Sequence, residues 1–534
     1  MNDRYPLHVR LALKAADIVA PELAKIPRLL TALPETTGNA TPGRPDPPLT
    51  CIPATEWHTG RTDVAIIGSG AGGAVVAKVL AEAGMDVTVV EEGERHTSEE
   101  FRTKSTVSRF RSLYRDAGAT VALGLPPVLL PMGRGVGGTT LVNSGTCFRT
   151  PDRVLDRWRS EWGIPTEQFP SLLDDVEAML QVRQQPVDML GRNGMITLTG
   201  ARRLGWEARP LDRNAPGCVG SCQCAVGCPR NAKNGVHLNA LPDACREGAR
   251  IITGARVERV ITAGGRAEGV LIRRRDGSAF VLPARIVVVA AGATETPPLL
   301  RRSGLGGHPG LGVGMAVHPA TTVAGRFAEP VDASTGVMQS VGIDRFHDQG
   351  ILIEATASPV GLVTFPLPGT GEELRHELAN RDHLAYLGAM IADRPAGKVL
   401  GRRPVITYQL RDAPKLRKAM VEMGRVLFAA GATEVLTGLP KHPRARTVDE
   451  LADIVGTTPT RALRVAAFHP TGTARMGATE RAPVDTAGRL RGVTGVYIAD
   501  ASTLPTCPEV NPQVTIMAMA MMIAHGISGA WGGR

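Results

Sequence analysis

Four of the eight cysteines stand in one short stretch, Cys218-Val-Gly-Ser-Cys222-Gln-Cys224-Ala-Val-Gly-Cys228-Pro229. Thiolates are nucleophiles and soft-metal ligands, so a cluster this tight is a candidate for redox or metal chemistry. Its spacing, C-x3-C-x-C-x3-C, is neither a zinc ribbon nor the ferredoxin C-x2-C-x2-C run. A loop of free thiols, or one disulfide, is the plainer reading. Cys51, Cys147, Cys245 and Cys507 are isolated and read as buried small hydrophobes.

A second chemistry is written in glycine. Val64–Ile67 is an apolar, β-branched run that suits a buried parallel strand. It enters Gly68-Ser69-Gly70-Ala71-Gly72-Gly73, then an alanine-rich stretch to Ala83 that reads as a helix. Val87–Val90 is the next strand, and Glu91 stands at its tip. Gly68 permits the tight turn, Gly70 lets backbone approach a pyrophosphate, and Gly73 lets helix and strand pack closely. The helix N-terminus offers free N–H groups to phosphate oxygens. Glu91 is placed to accept hydrogen bonds from an adenosine ribose. Strand, turn, helix, strand and acid occur in order, which is the context that turns a glycine motif into a dinucleotide site. The motif alone does not separate NAD from FAD.

The remaining composition narrows the partners. At 534 residues the chain is long enough for two or more domains. The net charge of +10 is scattered over both signs, with no lysine-rich block. With few aromatics for base stacking, no nucleic-acid partner is expected. No secretory signal is visible, and no run of about 18 apolar residues suggests a membrane span. The longest apolar run is Val514–Ala524. Tyr5 to about Leu33 carries Leu7, Leu11, Ala15, Ile18 and Val19 on one helical face, broken by Pro21 and Pro27. It reads as an amphipathic arm packed on the body, or as a membrane-surface or partner-binding helix. Pro34 to Pro53 reads as a linker. The expected location is cytoplasmic, with peripheral membrane contact through the arm as the variant.

Further along, Pro131–Gly145 is a second glycine-rich segment, implying close backbone approach to something flat or anionic. Ala255–Ile261 alternates like a strand, Ile286–Ala290 is a buried strand ending in Ala291-Gly292-Ala293, and Gly495–Ile498 is a last short strand. Val313 to about Thr460 mixes strand-like stretches with helices.

These pieces, in collinear order from Thr62 to Ile527, resemble the glucose–methanol–choline (GMC) family of flavin oxidoreductases. GRGVGGTTLVNSG, GATETPPLLRRSG, and the blocks HPTGTARMG and NPQVTIMA carry the resemblance. It implies FAD, and an α/β fold: a Rossmann-type FAD-binding domain with an interleaved α+β substrate domain built on an antiparallel sheet. The expected divisions are an arm and linker over 1–57, the FAD-binding domain over 58–310 and 461–534 with a cysteine-rich insertion at 213–235, and the substrate domain over 311–460. The resemblance implies that Gly68, Gly70, Ala71, Gly73 and Glu91 hold the ADP half, and that the Val257 backbone meets the adenine. It places Gly137, Thr139 and Asn143 under the isoalloxazine, and Asp500 and Ala501 at the ribityl-pyrophosphate. Pro512 and Thr515 open a helix whose positive end faces the flavin. The middle glycine loop has no histidine of the covalently attached kind, so FAD is expected to bind non-covalently.

The same resemblance singles out His469 among twelve histidines. It implies that His469 removes the hydroxyl proton of an alcohol and that Asn511 anchors the oxygen, with the hydride passing to flavin. The cysteine stretch resembles the iron–sulfur segment of bacterial FAD-dependent glucose dehydrogenases, which would make Cys218, Cys224 and Cys228 ligands, with Cys222 as the alternate. It also resembles the cysteine-rich segment of long-chain alcohol oxidases. The expected activity is oxidation of a bulky, apolar alcohol to aldehyde or ketone, with electrons passing to oxygen or a carrier. A sugar dehydrogenase with an iron–sulfur relay is the alternative. A FAD electron-transfer module without alcohol chemistry is another.

Overall fold

The computed structural model describes residues 41–57, 60–357, 366–369 and 372–532. The arm read from Tyr5 to Leu33 lies outside them.

The β-branched runs form the strands expected of them. Thr62–Ile67, Val87–Val90, Arg250–Thr253 and Cys51–Pro53 lie side by side and parallel. On the other flank Thr62–Ile67 pairs in parallel with the long strand Ala279–Val289, which also carries Val496–Ile498 in parallel. Side chains on Thr62–Ile67, Val87–Val90 and the last four residues of Ala279–Val289 are buried almost throughout, because one face packs on helices and the other mainly on the antiparallel strands that follow. The first half of Ala279–Val289 extends past the parallel core and pairs antiparallel with Arg266–Arg273, which pairs with Arg256–Ala263. One eight-stranded sheet results. The helix Ala71–Glu82 lies between the first two strands in sequence, and Gly84 ends it at φ +76°.

A ten-stranded sheet forms the second layer. Its centre is antiparallel: Ala320–Arg326, Leu384–Ile391, Ile351–Thr356 and Gln339–Ile343 follow one another. The antiparallel sheet expected of the substrate domain is present, with one parallel pair towards its edge, where Val465–Ala466 meets Val128–Leu129. That edge is built from distant segments rather than from hairpins, so neither orientation is imposed by a short turn. Ala208–Pro210 closes the other end of the sheet. The helix Ala413–Ala430 and the helix Gly191–Arg203 pack together and against this sheet.

Two expectations change. The linker reading of Pro34–Pro53 does not extend to its end, because Cys51–Pro53 is an edge strand. The segment before it is pinned across the cysteine-rich stretch: Arg44 donates to Asn234 Oδ1 (3.2 Å) and Leu238 O (3.0 Å), and Asp46 accepts from Ser98 and Asn231. The apolar run read as Val514–Ala524 belongs to a longer helix, Gln513–Gly532. By length and composition this helix could cross a bilayer, but most of it is buried inside the protein, packed on Ala71–Glu82 and Phe169–Leu180.

Candidate active site

A long cleft, with about 980 Å³ of empty space, runs along the carboxyl ends of the parallel strands. That is where open α/β sheets bind ligands. Gly68, Gly70, Ala71, Glu91, Thr139 and Val257 line it. Asp500 and Ala501 complete the wall. Segments far apart in sequence thus meet at one cavity.

The two glycine loops touch backbone to backbone. A Cβ built on Gly138 would lie 2.7 Å from Gly70 Cα. Gly73 is glycine for packing, since a Cβ there would lie 2.0 Å from Gly68 O, and a Cβ on Gly72 would lie 1.9 Å from Ala499 O. Gly70 differs. A methyl there would meet only Gly138 Cα, at 3.9 Å. The chain itself has room for a side chain at Gly70, on the floor of the cleft, so what needs the space is a ligand. Arg115, Arg134, Arg256 and Arg302 also line the cleft. Free helix N–H groups, a vacant approach at Gly70 and four guanidiniums fit the pyrophosphate of a dinucleotide. Arg134 and Arg302 stand in the GRGVGGTTLVNSG and GATETPPLLRRSG blocks, but none of the four arginines was singled out from the sequence.

Glu91 holds the loops in register. One carboxylate oxygen accepts from Ser69 N (3.0 Å) and Ser69 Oγ (2.7 Å), and the other accepts from Gly93 N (2.9 Å). Ser69 Oγ in turn accepts from Gly137 N at 3.0 Å, joining the second glycine loop, where Gly137 sits at φ +110°. Burial raises the Glu91 pKa. Asp500 plays a similar part on the other wall. It accepts from Gly292 N (2.9 Å), Thr296 Oγ1 (2.6 Å) and Ser502 N (2.7 Å). Gly292 and Thr296 belong to the GATETPPLL block, so two sequence blocks are tied through one carboxylate.

Asn143 does not line the cleft. Its amide donates to Gln513 Oε1, and its carbonyl oxygen accepts from Lys233 Nζ at 2.7 Å. Lys233, 2% exposed, also donates to Leu141 O (2.9 Å) and Cys224 O (3.2 Å). Burial pushes its amine down to about 8. Gln513 and Lys233 were missed in the sequence because nothing local marks them. Thr515 is fully buried, with its hydroxyl 2.8 Å from that of Thr150, so its side chain ties the last helix to the loop before the helix Asp152–Trp162. Pro512 is buried and accepts from Ile516 N at 2.8 Å, and Ile516 lines the cleft. The N-terminal turn of the last helix is therefore at the cleft, as expected.

His469 and Asn511 sit beside this wall. Gly472 N donates to Ala501 O at 3.1 Å, and Thr473 Oγ1 donates to Ala293 O at 2.6 Å, which seats the His469 segment against it. Burial pushes the His469 imidazole down to about 4. Its Nδ1 lies 3.1 Å from Nδ1 of His318, a residue not singled out from sequence. Asn511 is buried, and its Oδ1 has no partner. A buried amide oxygen left without a partner is costly, so Asn511 is set to bond something that is not protein. Phe468, 45% exposed, presents an apolar ring next to His469.

The cysteine segment corrects the metal expectation. Among the described residues no group of three or more His, Cys, Asp or Glu side chains is arranged to hold a metal ion. Cys218, Cys224 and Cys228, with Cys222 as alternate, do not form that set, and all are free thiols. All four line one small cavity, where their thiols meet a guanidinium, a backbone N–H and apolar side chains. Arg213, 0% exposed, places its guanidinium 3.3 Å from Cys224 Sγ and 3.8 Å from Cys218 Sγ. Cys228 Sγ accepts from Lys233 N at 3.5 Å. Cys222 is packed with Ala225, Met338 and Ala357, and burial pushes its thiol up. Of the isolated cysteines, Cys147 and Cys507 are buried, while Cys51 and Cys245 are partly exposed.

Comparison with known proteins agrees with this geometry. Models described as GMC oxidoreductase match residues 110–320 and 399–520, and a FAD binding domain model matches 61–128. An uncharacterized GMC-type oxidoreductase of Mycobacterium tuberculosis is 55% identical over 90% of this chain and 78% of its own length. A long-chain-alcohol oxidase of Arabidopsis thaliana is 30% identical over 88% of this chain and 67% of its own. The crystal structure of pyridoxine 4-oxidase from Mesorbium loti covers 87% of this chain and 99% of its own, at 18% identity and a TM-score of 0.69. That last likeness is one of fold.

Proposed function

Because the chain belongs to the GMC oxidoreductase family, we propose that it oxidises an alcohol CH–OH group to the aldehyde or ketone, with His469 as base and Asn511 as oxygen anchor. FAD is its cofactor, and when bound non-covalently it supplies the hydride acceptor and passes electrons to oxygen or an external carrier. Gly70 and the helix N-terminus hold its phosphates, Glu91 and Val257 its adenosine half, and Thr139, Asp500 and Ala501 its flavin half. Gly68, Gly73 and Gly137 shape the loops around it, and Ala71 and Pro512 begin the two helices that point at it.

The observations that carry the reading are a His469 imidazole kept neutral and, on Asn511, a buried amide oxygen without a partner among the described residues, each in a segment that adjoins the cleft wall. An alcohol whose hydroxyl reaches Nε2 of His469 loses its O–H proton to that nitrogen. The Asn511 side chain bonds the oxygen and holds the carbon in place as charge develops. Asn511 is buried and His469 is half-buried, which limits the water that could compete.

The substrate class is a bulky apolar alcohol, long-chain or sterol-like. Phe468 beside the base favours it, as does 30% identity to a protein named long-chain-alcohol oxidase. Residues 311–460 supply most of the surface over the substrate.

The test is anaerobic mixing of FAD-loaded protein with 1-dodecanol, cholesterol or glucose, following flavin bleaching. Bleaching by dodecanol or cholesterol, lost in His469→Gln, supports the reading. Bleaching by glucose alone overturns the substrate class, and no bleaching by any of them overturns the activity.

A further inference from the structure

His318 is held opposite His469 by the backbone. Ala316 and Thr471 form an antiparallel bridge, with Ala316 N to Thr471 O at 3.2 Å and Thr471 N to Ala316 O at 2.9 Å. Two residues along each segment come His318 and His469. Their rings lie 5.3 Å apart, centre to centre, with the two Nδ1 atoms 3.1 Å apart.

The conformation of His318 is unusual for a residue with a side chain. It sits at φ +56° and is 1% exposed. Left-handed non-glycine backbone persists where the surroundings hold it. Here Asp393 does so: Oδ1 accepts from His318 N (3.0 Å), and Oδ2 accepts from Val317 N (3.0 Å) and Tyr408 OH (2.9 Å). His318 Nε2 is buried without a partner. Burial keeps both rings in the neutral form.

Between two neutral imidazoles, an Nδ1···Nδ1 contact holds one proton. If it belonged to His318, His469 would carry its own proton on Nε2 and could not accept another. If it belongs to His469, Nε2 is left as a free lone pair.

We propose that His318 is a positioning residue: its Nδ1 accepts the His469 Nδ1–H and so holds His469 in the tautomer whose Nε2 is the base. In the step itself the alcohol O–H bond breaks and an Nε2–H bond forms on His469. The Nδ1–H stays where it was, now a charge-assisted bond to His318. The proposal rests on reading His469 as the base.

Asparagine places its side-chain oxygen where histidine places Nδ1, and it tolerates left-handed backbone. Leucine has the same branching and no acceptor. His318→Asn is expected to keep dodecanol-driven flavin reduction within about fivefold of wild type, and His318→Leu to slow it about 10- to 100-fold, with alcohol affinity and FAD content unchanged. Equal rates in the two variants, fast or slow, would overturn the proposal. The second measurement is the imidazole nitrogen–proton spectrum of FAD-loaded protein with 15N-labelled histidines, the His469 signal being identified by its loss in His469→Gln. A proton on Nδ1 is expected, and a proton on Nε2 overturns the proposal even if the leucine variant does not fold. Wild-type reduction that survives His469→Gln, or no reduction of wild type by dodecanol, sinks the base assignment instead; the spectrum still reports the tautomer.

Discussion

Gly70 and Gly138 face each other across the mouth of the glycine loops, and only one of the two is crowded. A Cβ on Gly138 would lie 2.7 Å from Gly70 Cα, whereas a Cβ on Gly70 would have 3.9 Å to Gly138 Cα. The asymmetry separates a glycine required by a ligand from glycines required by the fold. Gly70→Ala is expected to fold with wild-type thermal stability and to bind FAD at least about tenfold more weakly, by about 1.4 kcal/mol. Gly72→Ala, whose methyl would strike Ala499 O at 1.9 Å, is expected to lose about 1–3 kcal/mol of stability or more. Flavin titration of the purified apoproteins, with thermal melts, checks both.

Asn511 has a buried Oδ1 with no partner among the described residues. Replacing it by leucine, which is close in shape, removes no hydrogen bond at that atom and relieves a buried polar group. Asn511→Leu is expected to be at least as stable as wild type and to reduce its flavin with alcohol about 100- to 1,000-fold more slowly. A variant that melts lower and reduces flavin at the normal rate would assign Asn511 to the fold.

The His469 pKa is lowered to about 4 by burial. With the neutral imidazole as the proposed base, protonation inactivates. The rate of flavin reduction should therefore be flat from pH 8 to about pH 5.5 and fall only as pH drops towards 4. Between 4 and the ordinary value of 6.5 the unfolded chain binds the proton and the folded chain does not. Stability accordingly falls as pH drops through that window. An acid limb centred near 6.5, in rate measurements on folded protein, would show that His469 is more solvated than its surroundings indicate.

Lys233 bonds the carbonyls of Leu141, Asn143 and Cys224 from a buried position. It ties the loop beside the cleft to the cysteine segment. Lys233→Met leaves those carbonyls without their donor, at about 1–3 kcal/mol each. The expected result is a melting temperature lower by several degrees and faster loss of FAD on dilution. Chemical denaturation and a fluorescence dilution assay measure the two.

Much of this protein was legible before its structure. Val64–Ile67, Gly68–Gly73, Ala71–Glu82 and Val87–Val90 follow from patterns local to a few residues: β-branched runs, a glycine turn and a helix stop at Gly84. The acid at Glu91 was legible by its distance from the turn, and the family by blocks in collinear order. These features survive any tertiary context because their physics is local.

The partners made by long-range closure were not legible. His318 meets His469 through a bridge between residues more than a hundred positions apart. Gln513 meets Asn143, and Lys233 reaches two carbonyls of the second glycine segment, those of Leu141 and Asn143. No periodicity encodes such contacts, since sequence spacing says nothing about which side chains two remote segments turn towards each other. The cysteines show the reverse error. Their closeness in sequence suggested one ligand set, but Arg213 lies against Cys218 and Cys224, the Lys233 N–H against Cys228, and Cys222 packs among apolar side chains. The sequence alone determined that a dinucleotide is held by glycines at a strand end. Tertiary packing decided which glycine is left free for it, and which histidine stands behind the base.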